Sequence, residues 1–310
     1  MFRRRLLTAA TAMAALLISG CAGGDDAAPG VEPSANSAAS FPVTVGSVTL
    51  DRRPDRIVSL SATATEILYA VGAGDQVTAV DQQSNHPANA PRTDLSGYKP
   101  NAEAIAAKNP DLVVISNDID KIVDRLTTLK VPTFLAPAAA TLDDTYAQIG
   151  QLGALTGHPD QAQALTTRMK SDLDKIVAGA PQRSTPLSYY YELDPTLYSV
   201  TSTTFIGSIF SLFGLTNVAD PADSDGAKGG YPQMSQETLL KANPDMIFLA
   251  DAKCCDQSPE TVQARAGWSG ISAVRTGQIV ALDDDIASRW GPRVVDLARS
   301  IADALASVPA

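Results

Sequence analysis

Residues 101–116 read NAEAIAAKNPDLVVIS, and residues 235–250 read SQETLLKANPDMIFLA. The two stretches align without a gap. They share a glutamate (Glu103, Glu237), a Pro-Asp pair seven and eight residues later (Pro110-Asp111, Pro244-Asp245), and then an apolar run (112–115, 246–249). Each reads as an amphipathic helix that stops at Asn-Pro. Proline disfavours helical geometry in the residue before it and brings no N–H. The apolar run that follows suits a parallel strand covered on both faces. Two copies of one α/β unit at long range predict two similar lobes, and two lobes imply a cleft between them.

The N-terminus says where the chain works. Residues 1–20 open with Arg3, Arg4 and Arg5 and continue with a short apolar stretch over 6–18. That stretch is too short to span a bilayer, so it reads as a cleaved signal. It ends Leu17-Ile18-Ser19-Gly20-Cys21, which resembles the lipobox of bacterial lipoproteins. The resemblance implies cleavage before Cys21 and a diacylglycerol and palmitate-type anchor on it. Each buried methylene contributes roughly 0.8 kcal/mol, so two or three acyl chains hold a protein at a membrane. The expected location is the extracytoplasmic face of the cell membrane.

Residues 21–40 are the lipidated cysteine followed mainly by Gly, Ala, Asp, Pro, Ser and Asn, with almost nothing to bury, and read as a flexible tether. About 270 residues remain from Phe41, which suits two lobes better than one core. The formal charge of −10 falls to near −13 without residues 1–20, which carry three arginines and no acid. Nucleic acid is therefore not an expected partner, since phosphate binding needs basic stripes. No later stretch has 18 uninterrupted apolar residues. Apart from Cys21, the cysteines are the adjacent Cys254 and Cys255. No His or Cys cluster stands near them, so a vicinal disulfide or a special loop geometry is preferred to a metal site.

Residues 56–60, 77–80, 112–115 and 131–135 read as strands. Helical patterns after Ser61, over 101–108 and over 119–129 alternate with them, which indicates α/β units on a parallel sheet. This first lobe spans 43–155. Residues 159–178 carry Ala162, Leu165, Met169, Leu173, Ile176 and Val177 at helical spacing behind Pro159. A helix of twenty residues is about 30 Å long and makes a strut over 159–179. The second lobe, 186–310, has strands at 187–191, 246–249 and 280–282 and helices at 205–213 and 294–305.

The ordered runs 56–74 (RIVSLSATATEILYAVGAG), 102–114, 235–248 and 289–297 (RWGPRVVDL) resemble the periplasmic binding proteins of ABC importers for ferric siderophores, haem and cobalamin. Residues 189–207 (YYYELDPTLYSVTSTTFIG) and 251–255 (DAKCC) are similar to an actinobacterial, ferric-dicitrate type. The resemblance covers the chain from Phe41 onward. It implies an α/β fold of two Rossmann-like lobes bridged by a single long backbone helix, with the ligand cleft between lobes. It also implies a monomer without catalysis or resident cofactor, partnered by an ABC importer permease. Among ligands it ranks a ferric siderophore first, haem second and cobalamin third. In that family one rim acid per lobe pairs with permease arginines, and the matching positions are Glu103 and Glu237. Rim charges set orientation and on-rate. One such glutamate alone is equally a solvated first-turn charge.

Ligands of α/β sheets bind beyond the carboxyl ends of strands. That rule selects Ser61, Thr63, Asn117, Tyr191, Glu192 and the loop of Lys253. Tyr98 and Tyr231 precede the two copies of the repeat as a near-symmetric pair. Arg289, Trp290 and Arg293 follow the late strand and offer a planar face with two fork-shaped donors for an acidic chelate. Equally, Trp290 packs and the arginines pair with Asp283, Asp284 and Asp285. Tyr189 and Tyr191 share one strand face. Stacking or hydrogen bonding suits them better than metal ligation, because a phenol titrates near 10. His86 and His158 are the sole histidines, too few for a transition-metal site.

An enzyme is the main rival class. Gly72-Ala73-Gly74 follows a helix and lacks a third glycine, so it is a weak dinucleotide match. No Gly-x-Ser-x-Gly turn occurs, and Asp143-Asp144 reads as a helix cap. A further alternative is an envelope scavenger or scaffold lipoprotein without an import role.

Overall fold

The computed structural model describes residues 40–308. The expected signal segment, the lipidation site Cys21 and the tether lie outside the described residues. An antiparallel hairpin, β1 (Val43–Val45) and β2 (Val48–Leu50), comes first. Then follow β3 (Ile57–Leu60), α1 (Ala62–Ala70), β4 (Val77–Val80), α2 (Ala102–Ala106), β5 (Leu112–Ile115), α3 (Ile122–Thr128), β6 (Thr133–Leu135) and α4 (Leu142–Thr156). The helix α5 (Pro159–Gly179) leads into β7 (Ser188–Glu192), α6 (Phe205–Ser211), β8 (Thr216–Asn217), α7 (Gln236–Ala242) and β9 (Met246–Leu249). The chain ends with α8 (Ala252–Cys255), α9 (Pro259–Gln263), α10 (Ser272–Thr276), β10 (Ile279–Ala281), α11 (Asp284–Ala287) and α12 (Val294–Ser307).

The two lobes have the same topology. The first sheet is ordered β4-β3-β5-β6 and the second β8-β7-β9-β10, each wholly parallel. The duplicated sequence is therefore the equivalent unit of each lobe, α2-β5 and α7-β9. Both of its strands are buried at every position, as a parallel strand between two helical layers requires. The shared Pro-Asp has a structural role. Asp111 Oδ2 accepts from the backbone N–H of Asp55 (3.0 Å) and Arg56 (2.9 Å), at the entrance to β3. Asp245 Oδ2 accepts from the N–H (2.9 Å) and hydroxyl (2.7 Å) of Ser188, the first residue of β7. Each lobe thus ties the second-entered central strand to the first.

The 21 residues of α5 join the lobes. Pro159 occupies its first turn, and Ala162, Leu165, Met169 and Leu173 form its buried stripe. This is the strut read from the spacing. It packs against α4 and α12. Gly153 of α4 permits that approach, since a Cβ there would lie 2.3 Å from Ala162 Cβ. The inward faces of both sheets and these helices form one continuous core, from Ile57 and Val114 in the first lobe to Tyr191 and Phe248 in the second. The outward faces of the sheets pack separately. A shared core of this kind resists wide opening of the lobes.

Two local readings change. Asp143-Asp144, read as a helix cap, lie in the first turn of the helix α4, which the sequence reading did not mark. Thr141 caps it, and Asp144 returns the bond to the Thr141 N–H (2.9 Å) in a capping box. The helix expected over 119–129 starts only at Ile122, because Asp120 and Lys121 take left-handed backbone angles. Among the described residues no helix is long and apolar enough to cross a membrane.

Candidate functional site

The carboxyl end of the first sheet faces a cavity of about 190 Å³, closed on its other side by the segment between β10 and α12 of the second lobe. On the first lobe, β3 ends at Ser61. Its hydroxyl accepts from Ala64 N–H (3.2 Å) and caps α1, so Ser61 and Thr63 are held at the cavity wall. β4 ends at Asp81, whose Oδ1 accepts from the N–H (3.0 Å) and hydroxyl (2.7 Å) of Ser84. Burial raises the Asp81 carboxyl above its ordinary range, against the opposing pull of these bonds. β5 ends near Asn117, which also lines the cavity. Gly97 closes this side, since any Cβ there would lie 2.5 Å from Leu60 O. Tyr98 follows and is 69% exposed.

The second lobe contributes the segment between β10 and α12. Asp285, Arg289 and Trp290 line the cavity from there. Trp290 is half-buried. Its indole N–H donates to Gln148 Oε1 (3.3 Å), and its carbonyl accepts from Thr145 Oγ1 (2.9 Å), both on α4. It therefore combines the two roles that the sequence left open, packing on one side and cavity wall on the other.

The arginines are engaged. Arg289 donates to Glu66 Oε1 (2.7 Å), Asp285 Oδ1 (2.7 Å), Asn85 Oδ1 (2.9 Å) and Gln83 O (3.0 Å). Arg293 forks onto Glu66, with Nε to Oε2 at 3.0 Å and Nη2 to Oε1 at 2.6 Å. Arg293 is absent from the cavity wall and borders a separate concavity with His86 and Tyr69. Glu66 was not singled out in the sequence. Its signal there is modest: it is the one acid in an otherwise uncharged helix whose neighbours are all buried.

Tyr191 and Glu192 do not reach the cleft, which corrects their expected role. Both are fully buried. The Tyr191 hydroxyl donates to Ala287 O (2.9 Å), and burial pushes it well above the usual phenol range. Tyr189 stacks on Phe210 with centroids 4.4 Å apart. Alternation along β7 puts Tyr189 and Tyr191 in the interlobe core and Tyr190 in the outer one. Glu192 instead accepts two bonds from Arg265, at 2.7 and 2.5 Å. Beside it, Asp251 is fully buried, and burial next to Glu192 pushes its carboxyl up to about 7.

Lys253 is also engaged. Its ammonium donates to Asp283 (2.8 Å) and Asp285 (3.0 Å), and its backbone N–H to Asp284 (2.9 Å). Cys254 and Cys255 are joined as a vicinal disulfide in the same turn. Tyr231 is 47% exposed and lies off the cavity wall. Its neighbour Gln233 bridges to Tyr198, which is 41% exposed.

Topology places the two repeated glutamates. A helix that runs into the start of a strand has its own N-terminus level with that strand's carboxyl end. Glu103 and Glu237 occupy the first turns of α2 and α7, so both stand on the cleft side of their lobes. Both are exposed, and Glu103 makes a loose 3.4 Å contact with Arg125.

Residues 57–286 match the family model described as periplasmic binding protein. The chain belongs to this family. An uncharacterized ABC transporter substrate-binding lipoprotein of Bacillus subtilis (strain 168) is 29% identical over 98% of each chain. A cobalamin-binding protein of Halobacterium salinarum is 29% identical over 89% of this chain and 77% of its own length. Among solved structures, the periplasmic vitamin B12 binding protein of Vibrio cholerae superposes with a TM-score of 0.66 at 27% identity, covering 82% of this chain and 97% of that one. The periplasmic haem binding protein of the same organism, at 23% identity and a TM-score of 0.71, shares the fold over 81% of this chain and 98% of its own. These relatives are substrate-, cobalamin-, vitamin B12- and haem-binding proteins by name.

Proposed function

We propose that this chain captures a bulky metal chelate in the interlobe cleft and hands it to the permease of an ABC importer, held at the extracytoplasmic face by lipid on Cys21. The observation that carries this reading is the cavity itself. It lies between the lobes, at the carboxyl end of the first sheet and against the segment between β10 and α12, walled by hydroxyls, amides and the half-buried Trp290, with the exposed Tyr98 at its mouth. Hydrogen-bonding groups around one aromatic face suit a large planar or globular chelate. Catalysis is no part of this role.

A corrinoid is the first ligand reading, because relatives named for cobalamin or vitamin B12 match most of their own length. A ferric siderophore is the second, on the motif resemblance of residues 189–207 and 251–255. This reverses the order that the sequence motifs suggest. The deciding experiment is calorimetric titration of the purified chain with cyanocobalamin, ferric hydroxamate siderophore and haemin, with tryptophan fluorescence in parallel. One-to-one saturation by any of them, with quenching lost in Trp290→Phe, supports the cleft as the site. No heat and no quenching with all three would move weight to a scaffold role.

A further inference from the structure

The groups around the cavity carry more negative than positive charge. The wall itself has Arg289 against Asp81 and Asp285, and the groups linked to these by ion pairs or hydrogen bonds add the bases Arg293 and Lys253 and the acids Glu66, Asp283 and Asp284. Every one of these bases already holds a carboxylate. Arg289 is the one base on the wall itself among the described residues, and it holds Glu66 and Asp285 together. Lys99, next to Tyr98 in sequence, is exposed and off the wall, so solvent screens it. Asp81 differs from the other acids. It is 2% exposed, forms part of the wall, and has serine and backbone partners in place of a direct cation.

An anionic ligand would have to draw Arg289 away from its buried pairs with Glu66 and Asp285, and breaking a buried ion pair is strongly unfavourable. It would also approach Asp81, a like charge in a poorly solvated site. A ligand edge with N–H donors meets the opposite situation. We infer, given the cleft as ligand site, that Asp81 selects the charge class of the ligand: a neutral or cationic chelate presenting amide or ammonium N–H groups, to the exclusion of carboxylate-rimmed chelates.

The test is titration of the full chain in detergent with four probes: neutral cyanocobalamin, cationic ferrioxamine B, and the anionic ferric citrate and haemin. At least one of the first two should bind about tenfold or more tighter than either anionic probe, the effect of one unfavourable charge contact. Asp81→Asn should narrow that ratio by about tenfold. Should this variant fold poorly, the wild type still decides. Raising salt from 50 to 500 mM should weaken a cationic probe and leave a neutral one unchanged. Ferric citrate or haemin binding as tightly as the best other probe would overturn the inference while leaving the binding-protein reading intact. An unaltered ratio in folded Asp81→Asn would overturn the role of Asp81. Silence from all four would remove the ligand site and the inference with it.

Discussion

Arg293 grips Glu66 with two parallel hydrogen bonds across the seam between the lobes, 227 residues away in sequence. Glu66 is 3% exposed and also receives Arg289, so one buried carboxylate is shared by two guanidiniums, and Asp285 supplies the second negative charge. Removing one member of such a cluster leaves buried charge without compensation, at a cost of about 3–5 kcal/mol. Glu66→Gln is therefore expected to lower unfolding stability by roughly that amount, read from urea denaturation. A loss below about 1 kcal/mol would show the seam to be hydrated and the cluster dispensable.

The buried acids of the second lobe give a pH signature. Asp251 has its carboxyl pushed up to about 7 by burial and by Glu192 beside it. In the unfolded chain it titrates near its ordinary 3.8. Between these values the native state holds a proton that the unfolded state has lost, so stability falls as pH rises toward 7. Arg265 opposes the shift, while burial and Glu192 drive it. Asp251→Asn should remove this slope and gain about 1–3 kcal/mol on the wild type at pH 8, with little gain at pH 4. Parallel stability–pH curves for the two proteins would exclude it.

The repeated aspartate is a lock on strand order. Asp245→Ala unpairs the N–H and hydroxyl of Ser188, and Asp111→Ala unpairs the N–H groups of Asp55 and Arg56. Each unpaired buried or half-buried group costs about 1–3 kcal/mol. Both variants should lose stability in that range, with similar values for the two lobes. Hydrogen exchange should speed up at Ser188 in one and at Arg56 in the other.

This lock explains why the fold was legible. The helix, Asn-Pro stop, aspartate and apolar strand recur because each has the same partner in each lobe. The strut was legible too, since Leu165, Met169 and Leu173 repeat at the helical period. The site was less so. The rule of strand carboxyl ends reaches Ser61, Thr63 and Asn117, which line the cavity, but fails at Glu192, where Arg265 in the turn after α9 draws the side chain inward. Asp81 also obeys the rule, at the end of β4, yet a single acid after a short strand has no pattern to mark it. Glu66 and Arg289 meet only through tertiary packing.

The vicinal disulfide should matter little for global stability. It closes the smallest ring the backbone allows, so it removes almost no freedom from the unfolded chain. The turn that carries it is held independently by Asp284, which accepts from the N–H groups of Lys253 and Cys254 at 2.9 Å. Reduction by a phosphine should expose two thiols and shift Tm by under about 2 °C, whereas Asp284→Ala should loosen the turn in hydrogen exchange. A larger fall in Tm on reduction alone would mean that the disulfide, not Asp284, holds the turn.

We predict that docking to a permease separates from ligand capture. Glu103 and Glu237 occupy the same position in the two copies of the repeat, are exposed, and stand on the cleft side at helix N-termini. Neither lines the cavity. A pseudo-symmetric pair of rim charges suits a pseudo-symmetric partner and acts mainly on encounter and register. The double variant Glu103→Arg, Glu237→Arg should therefore bind its ligand within about twofold of wild type, while uptake in cells falls by about tenfold or more. The single variants should each show part of the loss. Exposed helix-terminal acids contribute only about 0.3–1 kcal/mol to stability, so Tm should move by no more than a few degrees. Full uptake by the folded double variant would assign recognition to other surfaces and leave the two glutamates as solvated first-turn charges.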